Sequence, residues 1–379
     1  MTFVRITRIT DSPDADDIRR YSTGDDEEWA AMGTFSPTSV SPATRAKRGE
    51  ARGSGGGFVT HLLLFIWLGL IHINAGVVAI ACAGLPNAGA ACALIGLVTL
   101  AVVPRRASTP PGWGKALAKA VTEAARRYFP CALEFEDEDG YLNAAKSGRG
   151  CLIGLEPHGV LPLSIISFAW YFIYDEEGMK RRGFNVATRQ SRALASSAIF
   201  KVPFVRHLWT WLGLDPISRG GMIRMLRDGK TCVIIPGGVA ECMAMEKDAE
   251  TLYLKKRFGF VKVAIQTGAD LVPAYTFGQT RTYGYWRLGP PLVPKSVANW
   301  IGKMFAFAPI VFWGKWFTPI PYAVPLVTVV GKPIPVTQNP NPSREEVASK
   351  LDEFIEAMTS LYERNKKAHG YEDAKLVVC

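Results

Sequence analysis

Between Gly53 and Pro104 the chain carries no Asp, Glu, Lys or Arg. Within that stretch Phe58 to Ala83, "FVTHLLLFIWLGLIHINAGVVAIACA", runs to 26 residues, more than the roughly 20 a helix needs to cross a bilayer. A turn-rich "GLPNAG" follows, and "AACALIGLVTLAVV" then adds a second apolar run of 14 residues, short for a full span. Basic residues flank the pair on both sides, with Arg45, Lys47, Arg48 and Arg52 before it and Arg105 and Arg106 after it. The positive-inside bias therefore places both ends in the cytosol. The pattern predicts a membrane hairpin over 58–104 that either spans twice or dips in and returns, against the alternative of a buried helical hairpin in a soluble core.

Ahead of the hairpin, residues 1–57 mix Asp, Ser, Thr, Pro and Gly without apolar periodicity, which predicts a disordered arm. Beyond it, 105–379 reads as a single cytosol-facing domain. "GKALAKAVTEAARRYF" has the spacing of an amphipathic helix. "CLIGL", "TCVIIP" and "ADLVPAYTF" have strand length and β-branched content, with helical patterns between them, so an α/β sheet flanked by helices is expected. Near the end Ser343 and Glu346 form a capping box for a helix with Val347, Leu351, Phe354, Ile355, Met358, Leu361 and Tyr362 on one face and Gly370 as its stop.

Composition adds three limits. Seven cysteines, at 82, 92, 131, 151, 232, 242 and 379, include no CxxC pair and no zinc-like spacing with histidine, so reduced thiols and no metal are expected. A net charge of +10 suits anionic partners; beside a membrane segment these are phospholipid head groups or a phosphorylated co-substrate rather than nucleic acid. The sequence lacks a GxSxG elbow, an HExxH motif and a GxGxxG turn after a strand, and Gly229-Lys230-Thr231 fails as a P-loop because Arg224 occupies the required glycine position.

Three features remain, each at the C-terminal end of a predicted strand, where open α/β sheets collect their sites. The first is Glu156-Pro157-His158-Gly159. Of the five histidines only His158 follows a strand and precedes a glycine, and an imidazole there can act as general base on an alcohol. Alone, a hydrogen-bonded structural histidine is the better reading. The second is Pro236-Gly237-Gly238-Val239-Ala240-Glu241, where glycines let backbone N–H groups approach a substrate and Glu241 can orient a base; its bland alternative is a tight turn. The third is the basic, aromatic loop with Arg257, Gly259, Phe260 and Lys262, which can hold phosphates and a planar base or be an ordinary solvated charge run.

In this order, with "DPISRGGM" between the first two, these blocks resemble the type-2 diacylglycerol acyltransferase family, which includes monoacylglycerol and wax-ester acyltransferases. "EPHGVLP" is similar to plant and algal members, where animal members carry His in place of Glu156; "PGGVAE" and "RFGFVKVAIQTGADLVPAYTFG" are similar to later signature blocks. The likeness covers about residues 60 to 379. It implies an α/β, glycerolipid-acyltransferase-like fold behind a membrane-embedded hairpin, in the endoplasmic reticulum membrane and on lipid droplets. It also implies transfer of an acyl group from acyl-CoA, as co-substrate without a resident cofactor, to diacylglycerol, with membrane lipids as further partners and homo-oligomerisation left open.

On that resemblance His158 is the base. The wider glycerolipid acyltransferases place an aspartate five positions after their histidine; here that position is Leu163, so Glu241 is the candidate orienting carboxylate and Glu156 the runner-up. Pro157, Gly159, Pro236, Gly237 and Gly238 would border the substrate, and Arg219, Arg257, Gly259, Phe260 and Lys262 the coenzyme A moiety. The aromatic stretch 299–326 is a candidate border for the acyl path. Competing readings are a monoacylglycerol or wax-alcohol acyltransferase, a lysophosphatidate-type acyltransferase, which Leu163 disfavours, and a non-catalytic lipid-droplet protein.

Overall fold

A computed structural model describes residues 57–85, 87–102, 111–170, 191–246, 249–287, 293–294, 297 and 310–379. The expected polar arm up to residue 56, Arg105-Arg106 and the 299–309 part of the aromatic stretch lie outside the described residues.

Two apolar helices come first, α1 (Phe58–Ala83) and α2 (Ala88–Val102). The elements after them are α3 (Gly112–Tyr128), β1 (Cys131–Phe135), α4 (Glu138–Lys146), β2 (Cys151–Glu156), α5 (Ile165–Ala169), β3 (Arg192–Ala195), α6 (Val205–Trp211), β4 (Leu214–Pro216), α7 (Arg219–Arg227), β5 (Thr231–Ile234), α8 (Gly238–Ala244), β6 (Ala249–Leu252), α9 (Phe258–Thr267), β7 (Asp270–Phe277), β8 (Gly284–Arg287), β9 (Ile310–Trp313), β10 (Leu326–Val330), α10 (Arg344–Asn365) and β11 (Lys375–Val378).

The main sheet has seven strands in the order β1-β10-β7-β2-β5-β3-β4. The strands expected from "CLIGL", "TCVIIP" and "ADLVPAYTF" are its neighbouring centre, β2 pairing in parallel with both β5 and β7. All residues of β2, β5 and β7 are buried, as expected of strands covered on both faces. The sheet is mixed, because β10 runs antiparallel to β7.

One face is covered by α9 and α10, where Phe260 and Phe354 meet edge to face at 5.1 Å. Gly154 admits that packing: a Cβ there would lie 2.6 Å from Phe354 Cζ. A second core joins α1, α3 and α6 through Leu64, Trp67, Leu68, Val121, Ala125, Leu208 and Trp209.

The apolar pair is thus packed directly on the domain. Asn74 Nδ2 of α1 donates to the Pro203 carbonyl at 3.1 Å, and buried Arg206 donates through Nη1 to the carbonyls of Leu100 and Ala101 at 2.7 and 3.1 Å. Those carbonyls belong to the last turn of α2, where intrahelical donors run out and a cation is favoured. Among the described residues α1 is the one helix long and apolar enough to cross a membrane, and α2 is shorter.

The C-terminal helix forms as the capping box predicts, with Ser343 Oγ accepting from Glu346 N at 3.1 Å. It closes at Asn365 rather than running to Gly370. Val347, Leu351, Phe354, Met358, Leu361 and Tyr362 are buried on its inner face. Ser343→Ala should lower unfolding stability by about 1 kcal/mol, read as a shift in the denaturation midpoint with an unchanged slope.

Candidate active site

Because β2, β5 and β7 run parallel, the segments after their C-terminal ends gather at one edge of the sheet. His158 follows β2, Pro236-Gly237-Gly238 follows β5, and Gln279 follows β7. The peptide bond Glu156-Pro157 is cis, and Gly159 and Gly238 hold positive φ angles of 61° and 57°, a region that favours glycine.

His158 is half-buried. Its Nδ1 lies 2.8 Å from the Gly159 carbonyl oxygen. A carbonyl can only accept, so Nδ1 carries the proton and donates it, and Nε2 keeps its lone pair. Burial pushes the imidazole pKa below its ordinary value, and the positive charge of Arg257 adds to that against the opposing Gly159 bond. The ring is therefore neutral at physiological pH and holds the tautomer a general base needs.

The expectation that a carboxylate grips this ring is not what the geometry shows. Glu241 Oε1 accepts from the backbone N–H of His158, and Glu241 Oε2 accepts from Tyr253 N at 3.1 Å. Glu156 Oε1 accepts from Gly237 N at 2.8 Å. Both carboxyl groups are fully buried, and together they tie the histidine loop, the glycine turn and the approach to α9 into one unit. Burial, and then the charge of Glu241, push the Glu156 carboxyl well above its ordinary range. Glu241 is also raised by burial, but the neighbouring Glu156 side chain, its bonds from His158 and Tyr253 and the charge of Arg257 pull it back. Both carboxyls are thus raised, Glu156 the more strongly, so Glu156 is the one that holds its proton to higher pH.

Gly237 is required at its position, since a Cβ there would fall 2.0 Å from Glu241 Oε2. Its amide is committed to Glu156, so of the two glycine amides expected to approach a substrate this one is already engaged. Gly238 has nothing within 4 Å of its Cβ position, which leaves open space beside its backbone.

The basic loop divides. Arg257 turns inward, Nη2 donating to Gly237 O at 2.6 Å, with its guanidinium 4.8 Å from the centroid of the Tyr253 ring. It neutralises the carboxyl pair rather than facing outward for a phosphate. Phe260 is buried in the core against Phe354 and presents no open ring to a base. Arg219 and Gly259 are exposed, Lys262 is partly so, and Arg219 Nη2 reaches Gln266 Oε1 at 2.9 Å, which joins α7 to α9. Pro157 and Pro236 are buried and shape the two turns.

Two residues escaped the motif reading. Gln279, fully buried, donates through Nε2 to the carbonyls of His158 and Leu161 at 3.3 and 2.6 Å and accepts from Ser164 N at 2.9 Å. It pins the loop after β2 from inside, and a Cβ at Gly159 would come 2.8 Å from its Nε2. Cys242 places its thiol 3.1 Å from His158 Nδ1 and 3.2 Å from Gly159 O. Burial raises its pKa, so it stays a neutral thiol that packs the ring. The only sequence signal for Gln279 was its place just after a strand, and for Cys242 its place beside Glu241.

Residues 92–379 match the sequence profile of a family described as diacylglycerol acyltransferase. The chain is 32% identical over 238 residues, 61% of its length and 70% of the relative's, to acyl-CoA wax alcohol acyltransferase 2 of Mus musculus. To 2-acylglycerol O-acyltransferase 3 of Homo sapiens it is 30% identical over 268 residues, 66% of its own length and 73% of the relative's. The crystal structure of a 1-acyl-sn-glycerophosphate acyltransferase from Thermotoga maritima superposes with a TM-score of 0.37 at 14% identity, covering 80% of this chain and 95% of that one. A likeness that remote adds nothing to the sheet described above.

Glu156→Gln should test the raised Glu156 carboxyl. A carboxyl whose folded pKa is raised stabilises the fold at low pH and loses that contribution as pH climbs above the ordinary glutamate value toward the folded one. The variant, which has no proton to lose, should show a melting temperature that falls less than the parent's as pH rises from about 5 to 8.

Proposed function

Since the chain belongs to the diacylglycerol acyltransferase family, we propose that it transfers a fatty acyl group from acyl-CoA to the free hydroxyl of a diacylglycerol, releasing triacylglycerol and coenzyme A. The observation that carries this is the imidazole of His158, whose Nδ1 is tied to Gly159 O at 2.8 Å. With that nitrogen engaged, Nε2 accepts the hydroxyl proton as the oxygen bonds to the thioester carbon. The C–S bond then breaks, and the imidazolium returns its proton to the departing thiolate. Charge on the carbonyl oxygen in the transition state would be received by the Gly238 amide, where open space adjoins the turn; one such donor contributes about 3 kcal/mol. Glu241 and Glu156 take no proton from substrate. They fix the backbone on which the base and the donor stand.

Acyl-CoA enters as co-substrate, and no step draws on a metal or resident cofactor. Arg219 and Lys262, on helices joined by the Arg219–Gln266 bond, would meet its phosphates. A second reading keeps the chemistry and changes the acceptor: relatives named for wax alcohols and for 2-acylglycerol make a long-chain alcohol or a monoacylglycerol the alternative. An endoplasmic reticulum or lipid-droplet location suits either acceptor, both being membrane-dissolved.

Membranes from a host lacking neutral-lipid synthesis, supplied with labelled acyl-CoA and each acceptor in turn, discriminate these readings by product. Triacylglycerol should predominate, and wax ester or diacylglycerol as the main product would replace the first reading by the second. His158→Ala should lower kcat by roughly 10²–10⁴-fold. Because the pKa of His158 is lowered, kcat/KM of the parent should be flat at neutral pH and decline on acidification with an apparent pKa below 6.5. Arg219→Glu combined with Lys262→Glu should raise KM for acyl-CoA several-fold at low salt, with the difference shrinking as ionic strength rises.

A further inference from the structure

The side chain of Gln279 closes a ring of backbone around the base. Its Nε2 donates to the carbonyls of His158 and Leu161 at 3.3 and 2.6 Å, and its Oε1 accepts from the amide of Ser164 at 2.9 Å. The loop from His158 to Ser164 is thus held at its start, its middle and its end by one side chain. Two of the three partners are carbonyls and one is an N–H, so the group that meets them all must present donors and an acceptor together, as an amide does. Gln279 and Ser164 are fully buried, where a bond left unmade is not replaced by bulk water.

This ring of contacts bears on the imidazole through Gly159. The carbonyl that receives His158 Nδ1 belongs to the very next residue, at 2.8 Å, so the chain has to turn back on its own side chain. Gly159 makes that turn with a φ of 61°, which costs glycine little. Its missing Cβ also makes room for the glutamine, since one would stand 2.8 Å from Nε2. Holding the His158 carbonyl sets the direction of the peptide that follows, and with it the direction of the Gly159 carbonyl. Cys242 Sγ donates to the same Gly159 oxygen at 3.2 Å. With Glu241 bound to the backbone N–H of His158, the Gly159 carbonyl is what fixes the tautomer of the ring.

Gln279 is itself held firmly. Gly278 before it has a φ of 96° and no room for a Cβ beside the Pro325 carbonyl, and its amide donates to Tyr371 Oη at 2.7 Å. Thr280 after it donates through Oγ1 to the buried Glu250 Oε1 at 3.0 Å, and Thr282 Oγ1 donates to the Gln279 carbonyl at 2.8 Å. A side chain anchored on both sides can hold another group to within a fraction of an ångström.

We propose that Gln279 is a positioning residue for the acyl transfer: by gripping His158 O, Leu161 O and Ser164 N it aims the Gly159 carbonyl at Nδ1 and so keeps Nε2 free to accept the hydroxyl proton. This role rests on His158 being the base of the proposed reaction, and Gln279 reaches the substrate only through it.

The test uses the full chain in detergent with 15N-labelled histidine, the His158→Ala spectrum being subtracted to isolate one ring. The parent should show Nδ1 protonated and Nε2 bare. Gln279→Met, of similar length and without polar groups, should show a ring divided between the two tautomers, with kcat lowered roughly 10–100-fold and KM for acyl-CoA within two-fold of the parent's. An unchanged ring signal and parental kcat in that variant, with or without a lower melting temperature, would make Gln279 a packing residue and overturn the proposal. Gln279→Glu tests the same idea if the methionine variant does not fold. Burial favours the neutral form of that carboxyl and raises its pKa; protonated, it offers an O–H to one of the two carbonyls, and ionised it offers none. Its kcat/KM should therefore be nearest the parent's at about pH 6 and fall away toward about pH 8, where the parent is flat. A parent-to-variant ratio that stays constant over this range would equally overturn the proposal. A parent that holds the single tautomer but acylates no acceptor would bring down the proposed reaction instead, and the 15N signal of Gln279→Met would still decide the positioning role.

Discussion

Two carboxyl groups without access to water organise the candidate site. An isolated buried carboxylate is costly, and Glu156 and Glu241 lie side by side. The arrangement is tolerable because one of them keeps its proton, because Arg257 stands beside the pair, and because amides of His158, Gly237 and Tyr253 point at the oxygens. Each of these contacts fixes a different stretch of chain. Satisfying the buried acids and assembling the candidate site are one event, and Glu241 holds His158 through its backbone and not through its ring.

That arrangement explains which parts of the molecule were legible in the sequence. The three central strands announced themselves as short aliphatic runs because both of their faces are covered, and the Ser343 helix did so through its cap and its 3.6-residue apolar spacing. The motifs "EPHG" and "PGGVAE" fall in the two turns that follow β2 and β5 at one edge of the sheet. The role inside them could not be read in the same way. A glutamate that binds a ring and one that binds an amide look identical in sequence, and the choice was made by the direction in which β2 and β5 leave the sheet. Arg257 and Phe260 were misplaced for a related reason: one basic aromatic run contains both the start of α9 and the residues beneath it, and only the helix period separates the exposed Gly259 from the buried Phe260. Gln279 carries no motif, since any amide long enough to reach two carbonyls would serve, and reach is a property of the folded loop.

The two apolar helices show the same limit at larger scale. Their composition points to lipid, but composition alone says nothing about what α1 leans against. Packing supplies that: Leu64, Trp67 and Leu68 are part of the domain's own core, which also takes in Leu163 and has Val160 and Leu161 of the loop after His158 packed against it, so the helix pair and the sheet share a boundary.

The strand β11 pairs with β6, and the Cys379 carbonyl receives the amides of Leu254 and Lys255 at 2.9 and 2.8 Å. Tyr253 and Arg257, which bind Glu241 and Gly237, stand on the stretch so fastened. During synthesis the ribosome makes that stretch long before it makes Lys375–Val378. Glu241 can then be buried with its full set of donors only once Lys375–Val378 has been made and paired, so the candidate site closes late in folding and not as its own segments leave the ribosome.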